Sequence, residues 1–458
     1  MASAKDLLLE KIRSGAPMSG REQLRLSLML GIPAILAQLS SILMQYIDAS
    51  MVGHLGAAQA AAIGLVSTSI WLFNGLCMAS TSGFSVQIAQ LIGAGEFRKA
   101  REVMRKGLVS VLGFSVLLGS IAVSISNALP LWLGGESEVL ADASSYFLIY
   151  AVSIPLMQLG WSASSILSAS GNMKVPSIIY VIMCLLDVVF NYLFIYILDL
   201  GVTGAALGTA AAELVAMVMT LHYLLTKSPE LNIRQDRRGN WIPDRPVLKN
   251  ALGISGPLWL QNIVMRGAYV MGTVIVAPLG TIAVAANAFA IIAESFCYMP
   301  GYGMEEAVTA LVGQSIGAGR KPLAKRFAWI NIGIAGGMMS CLAVLMFIFA
   351  PQMMGLMTSD PDVVALGVKC LRIEAFAELF YGVSIVGYGA CVGAGDTMVP
   401  ALLNFGSMWV VRIGLALILT PSMGLVGFWI AMCIELNVRG IIFALRVRGN
   451  SWMKKSLV

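Results

Sequence analysis

The chain has 458 residues, 58% of them apolar and only 12% charged, with mean hydropathy +0.82. A soluble globular chain carries about 25% charged residues, so this composition excludes that class and describes a protein that crosses a membrane many times. The formal net charge of +6 does not describe a nucleic-acid binder, because the basic residues follow membrane topology instead of gathering on one face.

The first residues (Lys5, Asp6, Glu10, Lys11, Arg13, Arg21, Arg25) are charged and lack the apolar region and cleavage site of a signal peptide. Apolar runs bounded by charges or Gly/Pro then predict twelve spans: 25–50, 58–90, 106–127, 139–166, 175–198, 201–226, 250–277, 283–315, 326–350, 363–392, 398–420 and 425–446. The stretch from Gly31-Ile-Pro33 to Gly56, which overlaps the first span, carries a narrow polar stripe at helical spacing: Gln38, Ser41, Gln45, Asp48. A carboxylate at membrane depth costs several kcal/mol unless it faces a partner or a water-filled cavity, so the stripe is expected to face inward. The second span ends in Gln90-x-x-Gly93-Ala-Gly95, and the eighth in Gln314-x-x-Gly317-Ala-Gly319; both read as helix C-caps before a basic loop.

On the fifth span Asp187 precedes Asn191 by one turn, a carboxylate and an amide able to share a proton or coordinate a cation. Glu213 on the sixth span and Glu435 on the twelfth are expected to be helix-end residues reaching water. Residues 227–249 form a polar, cytoplasmic linker. The seventh span places Arg266, and the eleventh Arg412, at membrane depth, each as well suited to pair with a Glu as to meet a substrate. Pro300-Gly-Tyr-Gly303 is expected to break or loosen the eighth helix just before Glu305-Glu306. Gly333/Gly337 and Gly389/Gly393 have packing spacing, and Glu374, Glu378 and Tyr381 are expected on one continuous tenth helix.

A shift of 224 residues lays Pro33 on Pro257, Gly93-Ala-Gly95 on Gly317-Ala-Gly319, Gly171 on Gly395 and Val175-Pro176 on Val399-Pro400. The chain is thus two copies of a six-span module. Six is even, so the copies are parallel, related by a pseudo-two-fold axis along the membrane normal. The expected division is an N-lobe, 1–226, the linker, 227–249, and a C-lobe, 250–458. Of the 30 basic residues, 25 fall on the side of the two termini and the linker, while the opposite loops carry Glu136, Glu138, Asp142, Asp199, Asp360 and Asp362 and no Lys or Arg. The positive-inside rule makes both termini cytoplasmic.

Enzyme chemistry finds no footing. Gly393-Ala-Gly395-Asp396 resembles an intramembrane protease motif, but its counterpart reads Ala169-Ser-Gly171-Asn172, so the repeat says turn rather than catalyst. No phosphate-binding loop, zinc motif or nucleophile elbow is present. The seven cysteines lie in apolar segments, and His54 and His222 have no partner ligand, so none of them is expected to hold a metal.

These segments together resemble the multidrug and toxic compound extrusion (MATE) family of secondary transporters: Gly31-Ile-Pro33, Asp48-Ala-Ser-Met-Val-Gly-His-Leu-Gly56, both Gln-x-x-Gly-Ala-Gly runs, Gly204-Ala-Ala and Gly393-Ala-Gly-Asp-Thr397. The resemblance implies twelve helices in two lobes and antiport of organic cations or drugs against inward H⁺ or Na⁺. It makes Asp48 the coupling carboxylate of the first helix and Pro33 its bending residue, with Asn191 and Thr209 in the N-lobe site. This chain departs from the family pattern in placing Asp187 before Asn191 rather than after it. It also has Met265, beside Arg266, where other branches carry a Glu. The first departure shifts the site charge by one helical turn; the second argues against a C-lobe Na⁺ site and towards the DNA-damage-inducible F-like branch, with an N-lobe site. The resemblance thus implies cation coupling at Asp48, Asp187, Asn191 and Thr209, and Na⁺, where it is the ion, at Asp48 and Asn191. Gln38, Ser41, Gln45, Glu374, Glu378 and Tyr381 are expected to line the substrate cavity. The reading is a monomeric inner-membrane exporter without cofactor; the alternatives are a lipid-linked oligosaccharide or lipid flippase, and an uncoupled channel or structural membrane protein.

Overall fold

In the computed structural model, residues 4–53, 55–135, 137–236 and 239–453 are described, and every regular element among them is helical. For Ala49 and Ala57 only the backbone is described. His54 and Glu136, weighed above, and Arg237, Arg238, Lys454 and Lys455, which are among the 25 basic residues counted on the side of the termini and the linker, lie outside the described residues.

A short amphipathic helix α1 (Ala4–Arg13) precedes α2 (Gly20–Gly53), α3 (Ala57–Gly93), α4 (Phe97–Ile125), the single turn α5 (Leu129–Trp132), α6 (Ser137–Ala169), α7 (Lys174–Tyr192) with a π-helical end at Leu193–Ile197, and α8 (Gly201–Thr226). After the linker come α9 (Arg245–Val276), α10 (Thr281–Gly317), α11 (Lys321–Gly355), α12 (Pro361–Glu374), α13 (Glu378–Gly393), α14 (Met398–Phe405), a π-helical stretch Gly406–Ile413, α15 (Gly414–Met423) and α16 (Leu425–Arg448). Among the described residues eleven helices are long and apolar enough to cross a membrane, and α12 with α13, bent by 59°, supplies a twelfth span. The all-α polytopic class follows from the bilayer, where a helix satisfies its own backbone polar groups.

The 224-residue shift reads directly onto these bounds. It carries α3 onto α10 and α6 onto α12 plus α13, and the starts of α4, α7 and α8 onto those of α11, α14 and α16. Both Gln-x-x-Gly-Ala-Gly runs end their helices with a left-handed glycine, Gly95 at φ 77° and Gly319 at φ 72°. Asp396 sits in a turn and pairs with Arg446 at 2.6 Å, an ordinary surface-end anchor.

Three expectations are corrected here. α10 runs unbroken through Pro300, because neighbouring helices close on its small residues: a Cβ at Gly303 would lie 2.6 Å from the Ile35 backbone N. Conversely, Glu374 and Glu378 do not share a continuous helix; the chain breaks at 375–377, between the last residue of α12 and the first of α13. Of the two small-residue pairs, Gly389/Gly393 packs, with a Cβ at Gly393 meeting Thr309 O at 2.4 Å, whereas Gly333 and Gly337 face open space.

By contact the chain divides into two compact units, Met1–Leu39 with Leu260–Leu457, and Ser40–Trp259. The first is built around buried Trp429, Phe428, Cys370, Tyr381 and Met339, with a second cluster at Val308, Val312 and Trp452. In the other, Ile88, Ile92, Met104 and Leu224 form one core and Phe147, Tyr150 and Leu118 another. Within that unit the linker lies on α4: Arg101 donates to Glu230 O at 2.9 Å, Arg105 pairs with Asp236 under the Trp241 ring, and Lys106 reaches Asp244 at 2.5 Å.

Candidate functional site

The site is assembled in the Ser40–Trp259 unit from three helices. α2 supplies Asp48, α7 supplies Asp187 and Asn191 one turn apart, and α8 supplies Thr209. Asn191 Nδ2 donates to Asp48 Oδ1 and to Asp187 Oδ2, 3.0 Å in each case. Asp187 is 0% and Asn191 2% exposed, while Asp48 is half-buried. Asp48 and Asp187 are in hydrogen-bonding reach of each other, and the Thr209 hydroxyl adjoins the Asp187 carboxyl. Tyr146 of α6 lies in the electrostatic neighbourhood of both carboxyls.

Close packing of α7 on α8 makes this possible. A Cβ at Gly208 would sit 2.0 Å from Asn191 Oδ1, and one at Gly204 would sit 2.6 Å from Phe194 O. The Gly204-x-x-x-Gly208 spacing was therefore a site signal in the sequence, a small-residue stripe directly opposite the polar pair. Beyond Asp48 the same two long helices frame an open, mostly apolar cavity of about 520 Å³, lined by Ser50, Met51, Val188, Val189, Tyr192 and Tyr196. Tyr196 OH ties its rim to Met51 O at 2.7 Å.

The arrangement has a plain electrostatic consequence. Two carboxylates sharing one amide donor at membrane depth repel each other and need a cation between them, a proton or a metal ion. Asp187 Oδ1 and Asn191 Oδ1 are buried without a hydrogen-bond partner among the described residues. The Asn191 amide turns its Nδ2, not its Oδ1, to both carboxyls, so in this arrangement the oxygens of Asp48 and Asp187 are the ones a cation would meet, and the expected Na⁺ site at Asp48 and Asn191 is not assembled.

The remaining sequence-selected residues lie elsewhere. Ser41 and Gln45 follow the exposed side of α2, where Gln45 Nε2 donates to Ser41 Oγ at 3.3 Å. Gln38, in the unit that holds Leu260–Leu457, donates to Glu306 Oε1 at 3.2 Å. In the same unit Glu374 and Glu378 are 0% exposed, and none of their four carboxyl oxygens has a hydrogen-bond partner among the described residues. Tyr381 packs beside them in an aromatic cluster, its ring 5.5 Å from that of Tyr298.

Neither Glu213 nor Glu435 reaches water, against expectation. Glu213 is 8% exposed, beside Trp161 and near Asp187. Glu435 is wholly buried and accepts from Arg412 at 3.0 Å, Arg439 at 2.6 Å and the Ser407 hydroxyl. Arg412 is thus a structural partner, delivered by the π-helical stretch, and Arg439, four residues from Glu435 on α16, is the residue sequence reasoning missed. The i, i+4 spacing was the available signal.

Comparison with known proteins bears on the whole chain. The family model described as MatE matches residues 33–193 and 257–418. The probable multidrug resistance protein NorM of Thermotoga maritima is 24% identical over 444 residues, covering 94% of this chain and 93% of its own. The multidrug resistance protein MdtK of Yersinia enterocolitica is 28% identical over 453 residues, with 93% and 95% covered. Among solved structures, a MATE protein in complex with MaL6 superposes with a TM-score of 0.90 at 22% identity, covering 98% of this chain and 99% of that one. A MOP superfamily transporter from Pyrococcus furiosus gives 0.89, also at 22% identity and with the same coverage.

Proposed function

The chain belongs to the MatE family, and from that premise we propose that it is a multidrug exporter, a secondary antiporter that releases amphipathic organic cations in exchange for entering H⁺. The multidrug resistance proteins it is similar to support the drug substrates. The observation that carries the coupling is the Asn191 amide bridging Asp48 and Asp187.

In this reading Asp48, Asp187, Asn191 and Thr209 form the coupling site. A proton held between the two carboxyls relieves their repulsion; a cationic substrate does the same, so the two compete for one charge-balancing role. Binding of one expels the other. That competition is antiport once the site opens alternately to either side, and the duplicated lobes, 1–226 and 250–458 around the linker 227–249, are the two bodies that would move. Ser41 and Gln45 would meet the polar part of the substrate. The aromatic and thioether-lined cavity at Met51 and Tyr192 would take its apolar body. Glu374, Glu378 and Tyr381 would contribute only if the helix break between α12 and α13 opens, and Pro33 is the bending residue of α2. An exchange that moves one net charge inward gains about 2.3 kcal/mol per 100 mV. The protein would work as a monomer in the inner membrane with cytoplasmic termini.

A flippase for anionic lipid-linked sugars needs cationic lining; Arg412 is instead closed on Glu435, which weighs against that alternative. Uptake of a fluorescent organic cation into everted vesicles tests the proposal. An imposed pH gradient is expected to drive uptake and a Na⁺ gradient is not. Drive by Na⁺ alone would overturn the proton, and uptake indifferent to both gradients would overturn antiport.

A further inference from the structure

The first third of α2 carries a feature that transport does not use. Arg21 and Arg25, one turn apart and both exposed, head a cavity of about 350 Å³ whose floor is Leu24, Leu28, Met29 and Ile32. Leu24 is 43% and Ile32 52% exposed, so the floor is an open apolar strip about 12 Å long at the helical rise per residue.

The two guanidinium groups stand without a counter-charge. The nearest carboxylate in sequence, Glu22, is taken by Lys11 at 2.6 Å and by the Ser19 backbone N–H at 2.9 Å. Among the described residues neither Arg21 nor Arg25 has an ion pair or hydrogen bond, whereas Arg101, Arg105, Lys106, Arg320 and Arg446 all have carbonyl or carboxylate partners. Like charges at i, i+4 repel, and an anion placed between them removes the repulsion. We propose that this strip of α2 binds an anionic phospholipid of the cytoplasmic leaflet, its phosphate on Arg21 and Arg25 and an acyl chain along Leu24, Leu28, Met29 and Ile32. Charge complementarity selects the headgroup, and the apolar floor directly beneath selects an attached chain over a free anion. The inference needs only a membrane-spanning chain with a cytoplasmic N-terminal end, so it stands or falls apart from antiport.

The repeat supplies a matched control. Shifted by 224 residues, Arg21 and Arg25 become Arg245 and Lys249, exposed in the same way at the start of α9. There, however, Met29 and Ile32 become Gly253 and Gly256, and Leu248 is packed against a core. The charges recur and the floor does not.

Native mass spectrometry of the detergent-solubilised full chain, titrated with phosphatidylglycerol, with phosphatidylcholine and with inorganic phosphate, tests the site. At about 1 kcal/mol, or fivefold, per basic residue, Arg21→Gln with Arg25→Gln is expected to weaken phosphatidylglycerol binding roughly 25-fold. Arg245→Gln with Lys249→Gln is expected to leave it unchanged, and neither phosphatidylcholine nor inorganic phosphate is expected to occupy the wild-type site. Equal weakening by both double variants would reduce the effect to general surface charge and overturn the proposal. A wild-type protein that does not distinguish phosphatidylglycerol from phosphatidylcholine would overturn it without any variant, and occupancy by inorganic phosphate alone would overturn the role of the apolar floor.

Discussion

In the Ser40–Trp259 unit two carboxyls share one amide donor, Asn191 Nδ2. In the unit that holds Leu260–Leu457 one carboxyl, Glu435, is shared by two guanidinium groups, Arg412 and Arg439. Both arrangements are buried on helices that the 224-residue shift superposes, yet no charge is repeated: Asp48, Asp187 and Asn191 correspond to Gly272, Val411 and Leu415, and Glu435, Arg412 and Arg439 to Ala211, Val188 and Val215. The two copies share Gly, Pro and apolar residues at the common offset and differ in these buried charges. An acid facing two permanent cations is locked in charge and serves as structure; an acid facing another acid and an amide has no fixed counter-charge, which is what the proposed proton coupling needs.

The comparison is sharpest when the locked acid is neutralised. Glu435→Gln leaves two guanidinium groups buried without a counter-charge, a change expected to cost about 3–5 kcal/mol and to show as a large drop in unfolding temperature in detergent. A variant as stable as wild type would contradict the distinction. Next in size is Gly208→Ala. Its new methyl would meet the Asn191 side chain at 2.0 Å and force α7 from α8, for an overpacking cost of about 1–3 kcal/mol together with reduced transport. Loss of stability with transport rates intact would show that the α7–α8 contact is packing alone.

Asp48→Asn should behave in the opposite way from Glu435→Gln. Its amide can still bond within the site, so stability is expected to change by less than about 1 kcal/mol while gradient-driven export is lost, a split read by pairing a melting curve with vesicle transport. Smallest of all is the linker contact. The hydrogen bond from Lys106 holds the Asp244 carboxyl below its usual range. A carboxyl lowered in the folded state stabilises docking above its unfolded value, 3.8, and that contribution disappears as pH falls through the lowered value. Limited proteolysis of residues 227–249 should therefore be faster in Asp244→Asn than in wild type at pH 7, with the two converging under strong acid.

Much of this was legible before any coordinates. The spans and the two-copy organisation follow from apolar runs and from Gly and Pro at one fixed offset, signals that a bilayer makes strong because helices there have few alternatives. Asp48, Asp187 and Asn191 stood out because polar groups at membrane depth require a reason. What escaped were properties of pairs of helices. Pro300 was compatible with a straight α10 because Ile35 and its neighbours close on Gly303, while the break between Glu374 and Glu378 contains no Pro or Gly at all. Glu435 looked like a helix-end residue until α16 and the π-helical stretch brought Arg439 and Arg412 to it. Periodicity locates a side chain on its own helix, and only packing says what it faces.

The central claim, that the Asp48–Asp187–Asn191 site exchanges a proton for a cationic substrate, is tested most directly by proton release from purified protein in weakly buffered detergent, followed with a pH-sensitive dye as an organic cation is added. The account predicts that wild type releases protons on substrate binding and that Asp48→Asn binds without releasing them. Release of the same size from both proteins would contradict it.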